Sequence, residues 1–149
     1  MSRDARPIVE VLRDVLRDGP PVRLAILFGS RAGEAARHDS DVDVGIIPRD
    51  PDLPLAAELG LQARCERACG HTVDLVRLDR ASSLLRWEAA RNAVVIVANP
   101  PHELPRFLAG AALEHAELME TLGDAPERYR RRLAETGRQD TTGAWSTSR

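Results

Sequence analysis

Lysine is missing from this chain, whose 21 basic side chains are all arginine. A catalytic or phosphate-anchoring lysine is therefore excluded, and the all-arginine usage reads as the mark of a GC-rich genome before it reads as selection for forked phosphate contacts. Long apolar runs are missing as well: nothing approaches the roughly 20 residues needed to span a bilayer. The polar start from Met1 to Arg6 leads into no signal-peptide core, so a cytoplasmic location and no membrane partner are expected. Excess charge is absent too, since a formal net charge of -2 offers no basis for strong nonspecific binding to nucleic acid. Cysteine is scarce. Cys65 and Cys69 with His71 lack a fourth ligand at suitable spacing, which argues against structural zinc and for reduced, buried thiols.

What remains is ordinary apolar content, 43% over 149 residues, enough for one domain with a core and without internal repeats. Ile8, Val11, Leu12, Val15 and Leu16 recur at helical spacing after Pro7, and Gly19, Pro20 and Pro21 stop the pattern. Val22 to Phe28 reads as a buried strand, Gly29 to Ser40 as a polar connection, and Val42 to Ile47 as a second strand ended by Pro48. Leu55 to Ala68 is helical in pattern, with Gly70 placed for a left-handed cap. A third strand is expected over Thr72 to Leu78, then a helix capped by Asp79 or Ser82 and running through Trp87 to about Arg91, then a strand over Ala93 to Ala98. Beyond the break at Asn99, Pro100 and Pro101, a last helical stripe runs from Leu104 to Met119, set to close the core or meet a partner.

That order predicts an α/β (α+β) fold, a small mixed sheet of about four strands flanked by helices, with a C-terminal helix. The domain is expected over residues 5–122, with its core to about 98 and its last helix over 102–122. Residues 123–149 read as a charged tail, flexible over about its last dozen positions. Trp87 and Phe107 are expected in the core.

The chemistry concentrates in Asp41-Val42-Asp43-Val44-Gly45. Residues two apart on a strand share a face, their Cα atoms about 6.5 Å apart, so Asp41 and Asp43 project together while Val42, Val44 and Ile46 face the core. Paired carboxylates repel unless cations sit between them, and magnesium supplies that charge through a few carboxylates and substrate phosphates. Gly45 lies on the carboxylate face, and its missing side chain is expected to leave room for a ligand. The turn Phe28-Gly29-Ser30-Arg31 offers backbone N–H groups and a hydroxyl that can cradle a triphosphate. A third acid, Asp74, interrupts the apolar strand Val73 to Val76. Beside the second strand it would complete a triad for two magnesium ions and could take the proton of an attacking hydroxyl.

The stretch Leu27-Phe28-Gly29-Ser30-Arg31-Ala32-Gly33, ten residues between Ser30 and Asp41, and Ser40-Asp41-Val42-Asp43-Val44 resemble the signature of the DNA polymerase beta-type nucleotidyltransferase superfamily. The short chain resembles its minimal nucleotidyltransferase (MNT) branch, over residues 5 to about 98. The resemblance implies nucleotide contact at Gly29 and Ser30, with Arg31 at a frequently basic position, metal binding at Asp41 and Asp43, and a catalytic or metal-binding carboxylate at Asp74. It further implies an antitoxin paired with a HEPN-type ribonuclease toxin, transferring AMP from ATP to a tyrosine hydroxyl of that partner.

Competing readings fit less well. A calcium loop from Asp39 would need Gly and Glu where Val44 and Asp50 stand. Gly29 to Gly33 lacks the Gly-Lys-Ser/Thr of a P-loop. Arg64 and His71 match a HEPN ribonuclease spacing, but Gly70 interrupts the helix such a motif occupies. Two alternatives stay open: a silent module that neutralises its partner by binding alone, and an adenylyltransferase acting on a small molecule. His38 reads as an exposed turn residue.

Overall fold

In the computed structural model the described residues are 5–29, 32, 41–123, 127–128, 130–132 and 134–135. The elements are α1 (Ala5–Arg17), β1 (Val22–Phe28), β2 (Val42–Pro48), α2 (Leu55–Cys69), β3 (Val73–Arg77), α3 (Ser83–Arg91), β4 (Val94–Ala98) and α4 (Glu103–Leu122). This is the expected order. The strands form one mixed sheet in the order β3-β2-β1-β4. β1 pairs antiparallel with both β2 and β4, while β2 and β3 are parallel, joined through the crossover helix α2.

Strand alternation divides the core in two. On one face Ala25 and Leu27 of β1, Val42, Val44 and Ile46 of β2 and Val73 and Leu75 of β3 pack against Leu12 and Leu16 of α1 and Leu61 and Cys65 of α2. On the other, Leu24, Ile26 and Phe28 meet Leu78, Ala89 of α3 and Phe107 of α4. A seven-residue β1 buried on both sides needs the near-continuous apolar run Val22-Arg23-Leu24-Ala25-Ile26-Leu27-Phe28.

Local signals close the helices as expected. Gly70 adopts φ 72° and donates its N–H to the Glu66 carbonyl, ending α2 in a left-handed cap. Of the two candidate caps for α3, Ser82 does the work: its hydroxyl accepts from the Leu85 N–H at 3.2 Å. Cys65 is buried and Cys69 half-buried, both as free thiols, and burial pushes the Cys65 thiol up to about 11. Phe107 is in the core, whereas Trp87 is only half-buried, its ring stacked on His115 at 4.4 Å between centroids.

Arginine and carboxylate side chains tie the elements together. Arg23 of β1 donates through Nε and Nη2 to the buried Glu103 carboxylate in the first turn of α4. Arg77, buried at the end of β3, donates to both oxygens of Asp79 at 2.8 and 2.7 Å and to the Pro51 carbonyl, with Glu58 of α2 3.5 Å away. Burial pushes the Asp79 carboxyl up, but the Arg77 hydrogen bonds and charge outweigh it and hold its pKa below the ordinary 3.8.

The chain divides into two compact units, Met1–His115 and Ala116–Arg149. In the second, residues 116–122 are helical, as are the described residues between 127 and 135, and Gly123 closes the first stretch with a bond to the Met119 carbonyl. The flexible end expected at the C-terminus lies outside the described residues. No described helix is long and apolar enough to cross a membrane.

Asp79→Asn should destabilise the fold by about 1–3 kcal/mol at neutral pH, because it removes the nearer of the two carboxylates that pair with the buried Arg77 guanidinium and leaves Glu58 at 3.5 Å. Since the Asp79 pKa is depressed by folding, that stabilisation is present above the unfolded-state value and is lost as pH falls through the folded one. Urea titrations of wild type and variant should therefore converge below the ordinary carboxylate range.

Candidate functional site

The pairing register decides which acids meet. β2 is central enough to have a partner on each side, and its Asp43 lies opposite Phe28 of β1 and opposite Asp74 of β3. In-register neighbours on adjacent strands sit about 4.8 Å apart and share a face, so Asp43 and Asp74 stand side by side on the α3 side of the sheet. Asp41 precedes the strand at the same end and is exposed, as is Asp74, while Asp43 is half-buried.

Electrostatics records the crowding. Burial first, then the charges of Asp74 and Asp41, push the Asp43 carboxyl above its ordinary 3.8. The three carboxylates thus share one field. They do not form a closed cage, for among the described residues no three His, Cys, Asp or Glu side chains converge tightly enough to hold an ion alone. An open set of hard oxygen donors suits magnesium, which binds through one or two carboxylates and completes its octahedron with water and substrate phosphate.

Gly29 ends β1 against this group. It adopts φ 71°, a conformation that side-chain-bearing residues rarely take, and a Cβ built there would lie 2.2 Å from Asp43 Oδ2. Two constraints therefore require glycine at this position, the left-handed backbone and the carboxylate resting on its Cα. The Gly29 carbonyl accepts from the Ala32 N–H at 3.2 Å, turning the chain sharply after the strand. Ser30, Arg31 and His38, singled out by sequence, lie outside the described residues.

One expectation is overturned. The space above Gly45 is not open to a ligand: a Cβ there would stand 2.7 Å from Leu78 Cδ1 and 2.8 Å from its Cγ. Leu78, fully buried, fills the gap that glycine leaves. Alternation along Asp74, Val76 and Leu78 puts Leu78 on the acid face, but that period alone does not say that it packs over Gly45. Gly45 thus closes the floor behind the acids, and the accessible side of the group lies toward Gly29, Asp41 and Asp74.

Residues 10–102 match the family model described as Polymerase beta, Nucleotidyltransferase. Among solved structures, a chain of a toxin–antitoxin complex with AMP-PNP superposes with a TM-score of 0.72 at 22% identity, over 82% of this chain and 98% of that one. A chain from a tri-AMPylated Shewanella oneidensis HEPN toxin in complex with its MNT antitoxin gives 0.63 at 21% identity, over 85% and 96%. A minimal nucleotidyltransferase gives 0.51 at 28% identity, over 60% and 89%. The first two likenesses are likenesses of fold. No curated protein matches the chain.

Two variants test this arrangement. Gly45→Ala should cost about 1–3 kcal/mol in urea unfolding, because the new methyl overpacks against Leu78. Asp43→Asn should raise the thermal midpoint at neutral pH in EDTA, because it removes the half-buried charge among like charges. The sign follows from the raised pKa: wild type carries this penalty above the folded-state value and sheds it as Asp43 protonates. The difference between wild type and variant should shrink on acidification, and magnesium should raise the midpoint of wild type alone.

Proposed function

The chain belongs to the polymerase beta nucleotidyltransferase family, and we propose that it transfers AMP from ATP to a tyrosine hydroxyl of a HEPN-type ribonuclease partner, acting as that toxin's antitoxin. The observation that carries the reading is the register that sets Asp43 beside Asp74, with Asp41 at the same strand end and Gly29 against the Asp43 carboxylate. The fold-level likeness to chains of toxin–antitoxin complexes supports the choice of partner, one of those complexes containing AMP-PNP and another a tri-AMPylated HEPN toxin.

In this reading Asp41, Asp43 and Asp74 hold magnesium, and Gly29, Ser30 and Arg31 bind the nucleotide. Bound magnesium supplies positive charge against the phosphates and the developing charge of the transferred group. Gly29 lets the backbone approach the triphosphate closely. The partner's hydroxyl oxygen bonds to the α-phosphorus, the bond from that phosphorus to the bridging oxygen breaks, and pyrophosphate leaves. Asp74, exposed beside Asp43, takes the hydroxyl proton. Burial and the charges of Asp74 and Asp41 raise the proton affinity of Asp43, and bound cations would offset that repulsion.

Purified protein incubated with α-labelled ATP, magnesium and the product of the neighbouring gene should place label on that product. Asp43→Asn should reduce labelling by at least about a hundredfold, the scale lost when a group acting on developing charge is removed. Label absent from every protein, with toxin neutralisation intact, would sink the transfer reaction and leave a module that acts by binding. Full labelling by Asp43→Asn would displace the site.

A further inference from the structure

At the opposite end of the sheet from the acids, where β1 begins and β4 ends, lies a cleft of about 380 Å³. Its wall carries Arg13, Arg17 and Arg49, and its apolar floor includes Leu16, Val22 and Ile96. None of the described residues that line it is acidic. The cleft opens on the α1 side of the sheet, whose core includes Leu16, Val22 and Ile96, whereas Asp43 and Asp74 stand on the α3 side beyond Phe28, so the sheet lies between the two.

The charges here differ from those elsewhere in the fold. Arg23, Arg77 and Arg86 each face a carboxylate, and a second cleft of about 390 Å³, lined by Arg23, Arg86 and Arg106, carries Glu103 and Asp79 among them. Arg13 and Arg49 meet carbonyls instead. Arg13 donates from Nε to Ile96 O at 3.0 Å, and Arg49 from Nη2 to Asn99 O at 3.4 Å. Those bonds, to β4 and to the residue just after it, orient each guanidinium and leave most of its five N–H donors for another acceptor. Arg17 has only an exposed contact to Asp14 at 3.8 Å, an i,i+3 pair of little energetic weight. Among the described residues Arg13 and Arg49 meet no carboxylate and Arg17 meets only Asp14, so three guanidiniums gather at this cleft with little opposing charge.

We propose that this cleft binds a small phosphate-bearing ligand with an apolar or flat moiety, the size and chemistry of a nucleoside monophosphate. Guanidinium forks match phosphate oxygens in geometry as well as charge. The volume is that of an ordinary small-molecule pocket, and the aliphatic floor would take the non-ionic part. The site is independent of the transfer reaction proposed above and stands or falls without it.

The test is calorimetric titration of the full chain in EDTA, which removes the cations the acid site needs, with inorganic phosphate and AMP as probes. AMP should bind more tightly than phosphate, and its affinity should fall with added salt. Arg17→Gln/Arg49→Gln changes two exposed rim residues, so its thermal midpoint should match wild type while AMP affinity drops at least about tenfold. Arg13→Gln should produce a similar loss, and Asp43→Asn none. Unchanged AMP affinity in the rim variant, or no binding by either probe at millimolar concentration, would overturn the site. Equal affinity for phosphate and AMP would overturn the assignment of the apolar floor.

Discussion

The position of β2 between an antiparallel β1 and a parallel β3 is the constraint on which the site depends. An antiparallel neighbour ends where the chain turns back, and that places Phe28 and then Gly29 beside Asp43. A parallel neighbour begins where β2 begins, and that places Asp74 beside Asp43 on its other side. Both pairings bring acids to one strand end only because the crossover through α2 returns the chain in the same direction. A one-residue slip in the β2–β3 pairing would turn Asp74 into the α1 and α2 core and Val73 out of it, so the buried face of the sheet enforces the geometry of the acid face.

That dependence explains what could be read before the fold was known. The strands were legible because each is a short apolar run, three of the four closed by Gly29, Pro48 or Pro100, and the α2 and α3 ends because Gly70 and Ser82 are the residues their caps require. The pairing of Asp41 with Asp43 was legible from the two-residue period alone. The role of Gly45 was not, because periodicity assigns a residue to a face without saying what packs over it. Leu78 belongs to the turn after β3, and only the β2–β3 register brings it onto Gly45. Trp87 shows the same limit: its size suggested the core, and its partner turned out to be the ring of His115 at the edge.

The absence of lysine has a structural consequence as well as a chemical one. Every basic contact in this fold uses a planar fork, and forks hold geometry that an ammonium would not. Arg23 binds Glu103 through two nitrogens and so fixes the first turn of α4 against β1. Arg77 binds Asp79 the same way while reaching the Pro51 carbonyl, which fastens the loop before α2 to the end of β3. Arg86 lies over the Phe107 ring, 5.2 Å from its centroid, and bonds Glu114, joining α3 to α4 through both its charge and its flat face.

The two ends of the sheet then carry opposite unfinished charge. At the β2 start, three carboxylates crowd together and one of them resists ionising. At the β1 start, three guanidiniums line a cleft without a carboxylate among its walls. Neither group is neutralised by the other, because the length of β1 separates them and the apolar layers on both sides of the sheet leave no path for side chains between. Stability cannot be the reason for either, since both set like charges against one another, where pairing as in Arg77 and Asp79 was available to the same residue types. Uncompensated charge that folding leaves in place at an accessible surface is charge held ready for a ligand of the opposite sign: cations at the acid end and an anion at the arginine end.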